Sequence, residues 1–149
     1  MTMPHDFKKF PELTNNQMQL YYFESPHKQI FSNFRATVVK VHDGDTIRVR
    51  CDFRDFDFPV RFMNIAAPEL GESGGRESQK WLESLVYKRE VEIGINPDVR
   101  VDKWGRLLGY VTIHGIDVGN EAVRAGKAKP WNDRGSGVVP DFEAVLEAY

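Results

Sequence analysis

On both sides of Asp43-Gly44 the chain alternates apolar with polar residues, Val39 and Val41 before the pair and Ile47, Val49 and Cys51 after it. A period of two turns one face of each segment inward, and Asp-Gly tolerates the backbone angles of a tight turn, so this stretch reads as a β-hairpin. The alternation resumes at Phe56, Phe58, Val60 and Phe62, with Pro59 marking an edge or bulge position because it cannot donate to a ladder. Three strands therefore precede any helix. From Gly75 to Tyr87 the period lengthens, and Trp81, Leu82, Leu85 and Val86 are spaced as one face of a helix. Two further strands, "EVEIGI" and "RLLGYVTI", are joined by the polar stretch "NPDVRVDKWG". "GNEAVRAG" predicts a short helix stopped at Gly126, and a last amphipathic helix is expected to bury Phe142, Val145, Leu146 and Tyr149.

The order β-β-β-α-β-β-α-α predicts an α+β fold, a five-stranded OB-type Greek-key barrel with a helix between its third and fourth strands. Residues 35–149 would form this domain, and residues 1–34 an N-terminal extension packed on or near the barrel. The 149 residues, 41% of them hydrophobic, suffice for one core. A net charge of −2 argues against a broadly basic nucleic-acid coat, yet residues 35–134 balance 17 Lys and Arg against 16 Asp and Glu, which leaves room for a local bipolar site. Cys51 is the only cysteine, so neither an internal disulfide nor a cysteine-based metal cluster can form. The start "MTMPHDFKKF" lacks a signal-peptide core, and no segment approaches the ~20 apolar residues of a membrane span, so a soluble, cytoplasmic or phage-encoded intracellular chain is expected.

Polar residues that core packing does not explain fall in three places: "DGDT" at 43–46, "R…APE" at 61–69 and "DKWGR" at 102–106. Each lies at a strand end, and in a barrel such ends can converge on one pocket. Asp45 and Glu69 are hard oxygen ligands of the kind calcium accepts, while Arg61 and Arg106 offer planar forks that suit two oxygens of a phosphate. Water attacking a phosphodiester builds charge on the non-bridging oxygens. Preplaced guanidinium groups and a cation stabilise that charge more than the ground state, and Glu69 could take the proton of the water. Singly, each motif also has a plainer reading. Asp-Gly is a favoured hairpin turn, Pro-Glu is a common helix entry, and Lys103 and Trp104 could be an ordinary loop with an aromatic lid.

Together, "ATVVKVHDGDTIRV", "VRFMNIAAPE", "DKWGRLLGYV" and "NEAVRAGKAK" resemble the staphylococcal nuclease (thermonuclease) family from about Ala36 to Trp131. The resemblance implies an OB-fold, calcium-dependent phosphodiesterase acting on DNA and/or RNA, with Arg61 and Arg106 as catalytic arginines and Glu69 as base or water-orienting acid. It further implies that Asp45 binds calcium directly, Asp43 acts from the outer shell, Thr46 buttresses the turn and Ala67 contributes its carbonyl. Lys103 and Trp104 match nucleotide-contacting positions, and Trp131 falls loosely near the base pocket. The departure is Ala66, which stands where the family pattern has the second metal-ligand aspartate. Its loss should weaken calcium binding, since affinity follows the charge of the ligand set. Ala66 is then an aspartate replaced by design, a natural variant with a weaker site, or the mark of a nuclease-like module that holds nucleic acid without cutting it.

Overall fold

The computed structural model describes residues 12, 29–102 and 105–131. Lys103, Trp104, the expected C-terminal helix and most of the N-terminal extension lie outside the described residues. Three long strands come first: β1 (Phe34–Asp43), β2 (Thr46–Arg50) and β3 (Phe58–Phe62). A two-residue strand β4 (Ile65–Ala66) follows, then helix α1 (Gly75–Val86) and strands β5 (Glu90–Gly94) and β6 (Leu107–Ile113). Short β7 (Ile116–Asp117), helix α2 (Val118–Arg124) and β8 (Lys129–Pro130) complete the described chain.

The main sheet runs β3-β2-β1-β5-β6, and β3 also pairs in parallel with β6, so these five strands close into a barrel. Val38, Val41, Ile47, Val49, Phe58, Val60, Phe62, Val91, Ile93, Leu107 and Val111 line its interior, each at most 3% exposed. In β1 it is Val38 and not the expected Val39 that turns inward, because the register with β2 shifts between Val38 and Lys40 and breaks the alternation there. At roughly 25 cal/mol per Å² of apolar surface removed from water, this interior is the main stabilising contribution to the fold. Leu82 and Val86 of α1 join the same core, and Trp81 and Leu85 pack at its margin, as the helical stripe predicts. Closure qualifies the reading of Pro59. β3 is paired on both sides, but pairing with β6 starts only at Val60, so Pro59 needs a ladder partner only on the β2 side.

Two connections carry motifs to the rim. The hairpin turn is Gly44-Asp45, with Asp43 opposite Thr46. A Cβ on Gly44 would lie 2.7 Å from the Cβ atoms of both Ala67 and Ser78, so only glycine lets this turn lie against β4 and α1. The turn after β4 is held as tightly: a Cβ on Gly75 would stand 1.9 Å from the Glu69 carbonyl oxygen. The small sheet of β4 and β8 has no counterpart in the expected order of strands, because each member is only two residues long and leaves no periodic trace. Asp117 caps α2 by accepting from the Asn120 N–H at 2.9 Å, and the same oxygen accepts from Asn64 Nδ2 at 3.2 Å, tying α2 to the β3–β4 connection.

Candidate active site

Arg61 stands in the middle of β3 with Thr46 of β2 opposite on one side and Leu108 of β6 on the other. Its neighbours Val60 and Phe62 point into the core, so the Arg61 side chain leaves by the other face, where it is 14% exposed. Its Nη2 lies 3.3 Å from Asp45 Oδ2, and the guanidinium carbon is 5.4 Å from the centre of the Trp131 ring. Arg61 Nε is buried and has no hydrogen-bond partner among the described residues.

Asp45 is 2% exposed, and both of its oxygens accept. Its Oδ1 accepts from the Thr46 hydroxyl at 3.1 Å, and its Oδ2 accepts from the Ala67 N–H at 2.9 Å while facing Arg61. The hairpin motif and the "APE" motif are thereby joined through one carboxylate. Asp43 Oδ1 in turn accepts from the Asp45 N–H at 3.1 Å. Burial pushes the Asp43 carboxyl up to about 7, and the charge of Asp45 adds to the effect.

Arg106 precedes β6, two residues before the position that faces Arg61 across the parallel pair. Asp102 grips it twice: Oδ1 accepts from the Arg106 N–H at 2.9 Å and Oδ2 from its Nε at 2.7 Å. Asp102 is a positioning group that motif reading passed over. The trace in the sequence was its spacing of four from Arg106. Glu69 is exposed on the turn leaving β4, and its N–H donates to Glu72 Oε1 at 3.4 Å. Trp131 is 7% exposed, with Arg61 over its ring. The positions of Lys103 and Trp104 lie outside the described residues. A cleft of about 360 Å³ opens elsewhere, on the β1–β5–β6 face, lined by Arg35, Glu90, Glu92, Thr112 and His114, and it includes none of these residues.

Ala66 is 7% exposed and faces Lys129 across the β4–β8 rung. Lys129 is itself 5% exposed, and burial lowers its pKa below the ordinary lysine value. Among the described residues no group of three or more Asp, Glu, His or Cys is placed to hold a metal ion. Calcium takes six to eight oxygens. Position 66 offers only a methyl group, whereas Asp45 Oδ1, which accepts a single bond from Thr46, keeps a second lone pair.

The closed barrel sets Arg61 on β3, paired to the acid of the hairpin turn, and Arg106 just ahead of the neighbouring strand β6, which defines a small OB-type barrel domain. Residues 59–141 match the family described as staphylococcal nuclease homologue, and the chain belongs to that family. It is 36% identical over 81 residues to the micrococcal nuclease of Shigella flexneri, covering 54% of this chain and 44% of that protein. It is 38% identical over 98 residues to an uncharacterized endonuclease of Escherichia coli O157:H7, covering 65% of this chain and 61% of that one. The chain thus spans about half the length of the curated relatives it matches. Among the described residues no helix is long and apolar enough to cross a membrane.

Proposed function

We propose that this chain is a nuclease of the thermonuclease type, an endonuclease and phosphodiesterase hydrolysing DNA and/or RNA, impaired by Ala66. The observation that carries this reading is the buried, unpartnered Nε of Arg61, beside a face already oriented by Asp45. An unmet buried donor costs about 1–3 kcal/mol, and a phosphate oxygen arriving there would remove that cost while pairing with the cation. Water adds to phosphorus as the bond to the leaving oxygen breaks. Arg61 and Arg106 hold the non-bridging oxygens as their charge grows, and Glu69, exposed at the rim, accepts the proton of the water. Asp45 and Asp102 keep the two guanidinium groups from rotating, so little reorganisation accompanies the charge development.

Calcium binding is proposed to be weak in this chain, through Asp45 and the Ala67 carbonyl with Asp43 behind them. The buried methyl group of Ala66 favours one other reading, a nuclease-like module that binds nucleic acid without cutting it. Cleavage of single-stranded DNA with calcium, compared between this chain and Ala66→Asp, separates the two. The nuclease reading expects the variant to cut at least ~10² times faster, the size of effect that one preorganised electrostatic group supplies. Inactivity of both chains, with oligonucleotide binding unaffected by calcium, would sink it.

A further inference from the structure

The β5–β6 connection carries Asp102 and Arg106, and it is braced from behind by a residue of the N-terminal extension. Glu12 lies between Arg54, from the β2–β3 connection, and Arg100, from the β5–β6 connection, and all three side chains are 1% exposed. One Glu12 oxygen accepts from Arg54 Nη2 at 2.5 Å; the other accepts from Arg100 Nη2 at 2.9 Å and from the Ile30 N–H at 3.0 Å. Arg100 Nε donates to the Ile30 carbonyl at 2.8 Å, and the Phe31 ring centre is 3.9 Å from its guanidinium carbon. The Arg54 guanidinium lies over Phe58 at 4.6 Å. Two buried guanidinium groups share one carboxylate, so removing it takes a charge-assisted hydrogen bond from each of them in a desolvated setting.

From Arg100 the route to Arg106 is short. The Arg100 carbonyl accepts from the Leu108 N–H at 2.8 Å, at the start of β6, and Asp102 two residues on holds both the N–H and the Nε of Arg106. The brace therefore acts on the backbone at both ends of the segment that presents Arg106. The family match begins at residue 59, so it includes neither Glu12 nor Arg54.

We propose that Glu12 is a positioning residue for Arg106: the N-terminal extension clamps the β5–β6 connection through Arg100 and so sets where the second arginine of the site stands. The consequence for cleavage rests on the nuclease reading above, whereas the clamp itself does not. Glu12 touches no reacting atom; its route to Arg106 runs through Arg100.

Amide hydrogen exchange on the full chain and on Glu12→Gln tests the clamp. The Gly105, Arg106 and Leu108 amides should exchange about ten-fold faster or more in the variant, while Phe62 and Met63, bonded within the barrel, keep their rates. Equal acceleration at all amides would mean that Glu12 only stabilises the fold, and no change would mean that it does nothing here; either result overturns the proposal. Arg100→Lys, which keeps a charge beside Glu12 but loses the fork, should give the same local pattern should Glu12→Gln fail to fold, and its absence is equally fatal. In an Ala66→Asp background, adding Glu12→Gln should lower kcat about ten-fold with KM little changed. Local exchange without any loss of cleavage in an active background overturns the link to Arg106. Local exchange in chains that never cleave supports the clamp and rejects the nuclease reading instead.

Discussion

Restoring a carboxylate at position 66 should reveal calcium through stability as well as through cleavage. Ala66 is 7% exposed, and the neighbouring hairpin already holds two acids so confined that Asp43 is pushed from 3.8 to about 7. Each pKa unit corresponds to ~1.4 kcal/mol, so burial of Asp43, with the charge of Asp45 adding to it, amounts to ~4 kcal/mol at most. A third carboxylate on the same rim adds ~1–2 kcal/mol of repulsion at an effective dielectric near 20, partly offset by Lys129 across the rung. In metal-free buffer at pH 8, Ala66→Asp should therefore be less stable than the parent by ~1 kcal/mol or slightly more. Calcium at 100 times its dissociation constant returns about 2.7 kcal/mol, enough to reverse the order. Urea denaturation of both chains, with EDTA and with a calcium series, reads both effects. A variant as stable as the parent in EDTA and indifferent to calcium would refute the placement of position 66 at the metal side of the rim.

Two further outcomes follow from single contacts. Gly44→Ala forces a Cβ to 2.7 Å from the Ala67 and Ser78 side chains, and should cost about 1–3 kcal/mol in urea denaturation and separate the hairpin turn from the "APE" turn; a loss below ~0.5 kcal/mol would show that the packing yields freely. Asp43→Asn acts through pH. The folded pKa of Asp43 lies above the unfolded value, so the folded state holds its proton while the unfolded state releases it, and stability falls as pH rises from 3.8 to about 7. The variant should therefore be more stable than the parent at pH 8 and lose that advantage by pH 4, whereas an advantage that grew toward low pH would contradict the shift.

Much of the fold is written in local periodicity. The two alternating runs around Asp43-Gly44, the helical stripe of Trp81, Leu82, Leu85 and Val86, and the strand patterns on either side of the 95–106 connection each depend on neighbours a few residues apart, and each element appears where its period places it, although a register shift in β1 turns Val38 inward in place of Val39. The candidate residues were legible for a related reason: Asp45, Glu69 and Arg106 are polar groups in turns and connections, and Arg61 is a charge between two apolar strand residues, so core packing accounts for none of them. Short β4 and β8 were not legible, because two residues carry no period and their pairing is decided by what packs around them.

The sequence by itself determined the order of the five barrel strands and the two described helices, the place of the hairpin to within one residue, and the identity of the acids and arginines, including the anomaly at Ala66. Only the tertiary structure decided how they meet. Parallel pairing of β3 with β6 brings residues 47 positions apart into register and sets Arg61 beside the strand that follows Arg106. Asp45 reaches the Ala67 N–H from 22 residues away, and Glu12 reaches Arg100 from 88. Such contacts depend on chain closure and on which buried charge finds which partner, and neither quantity has a signature in the spacing of neighbouring residues.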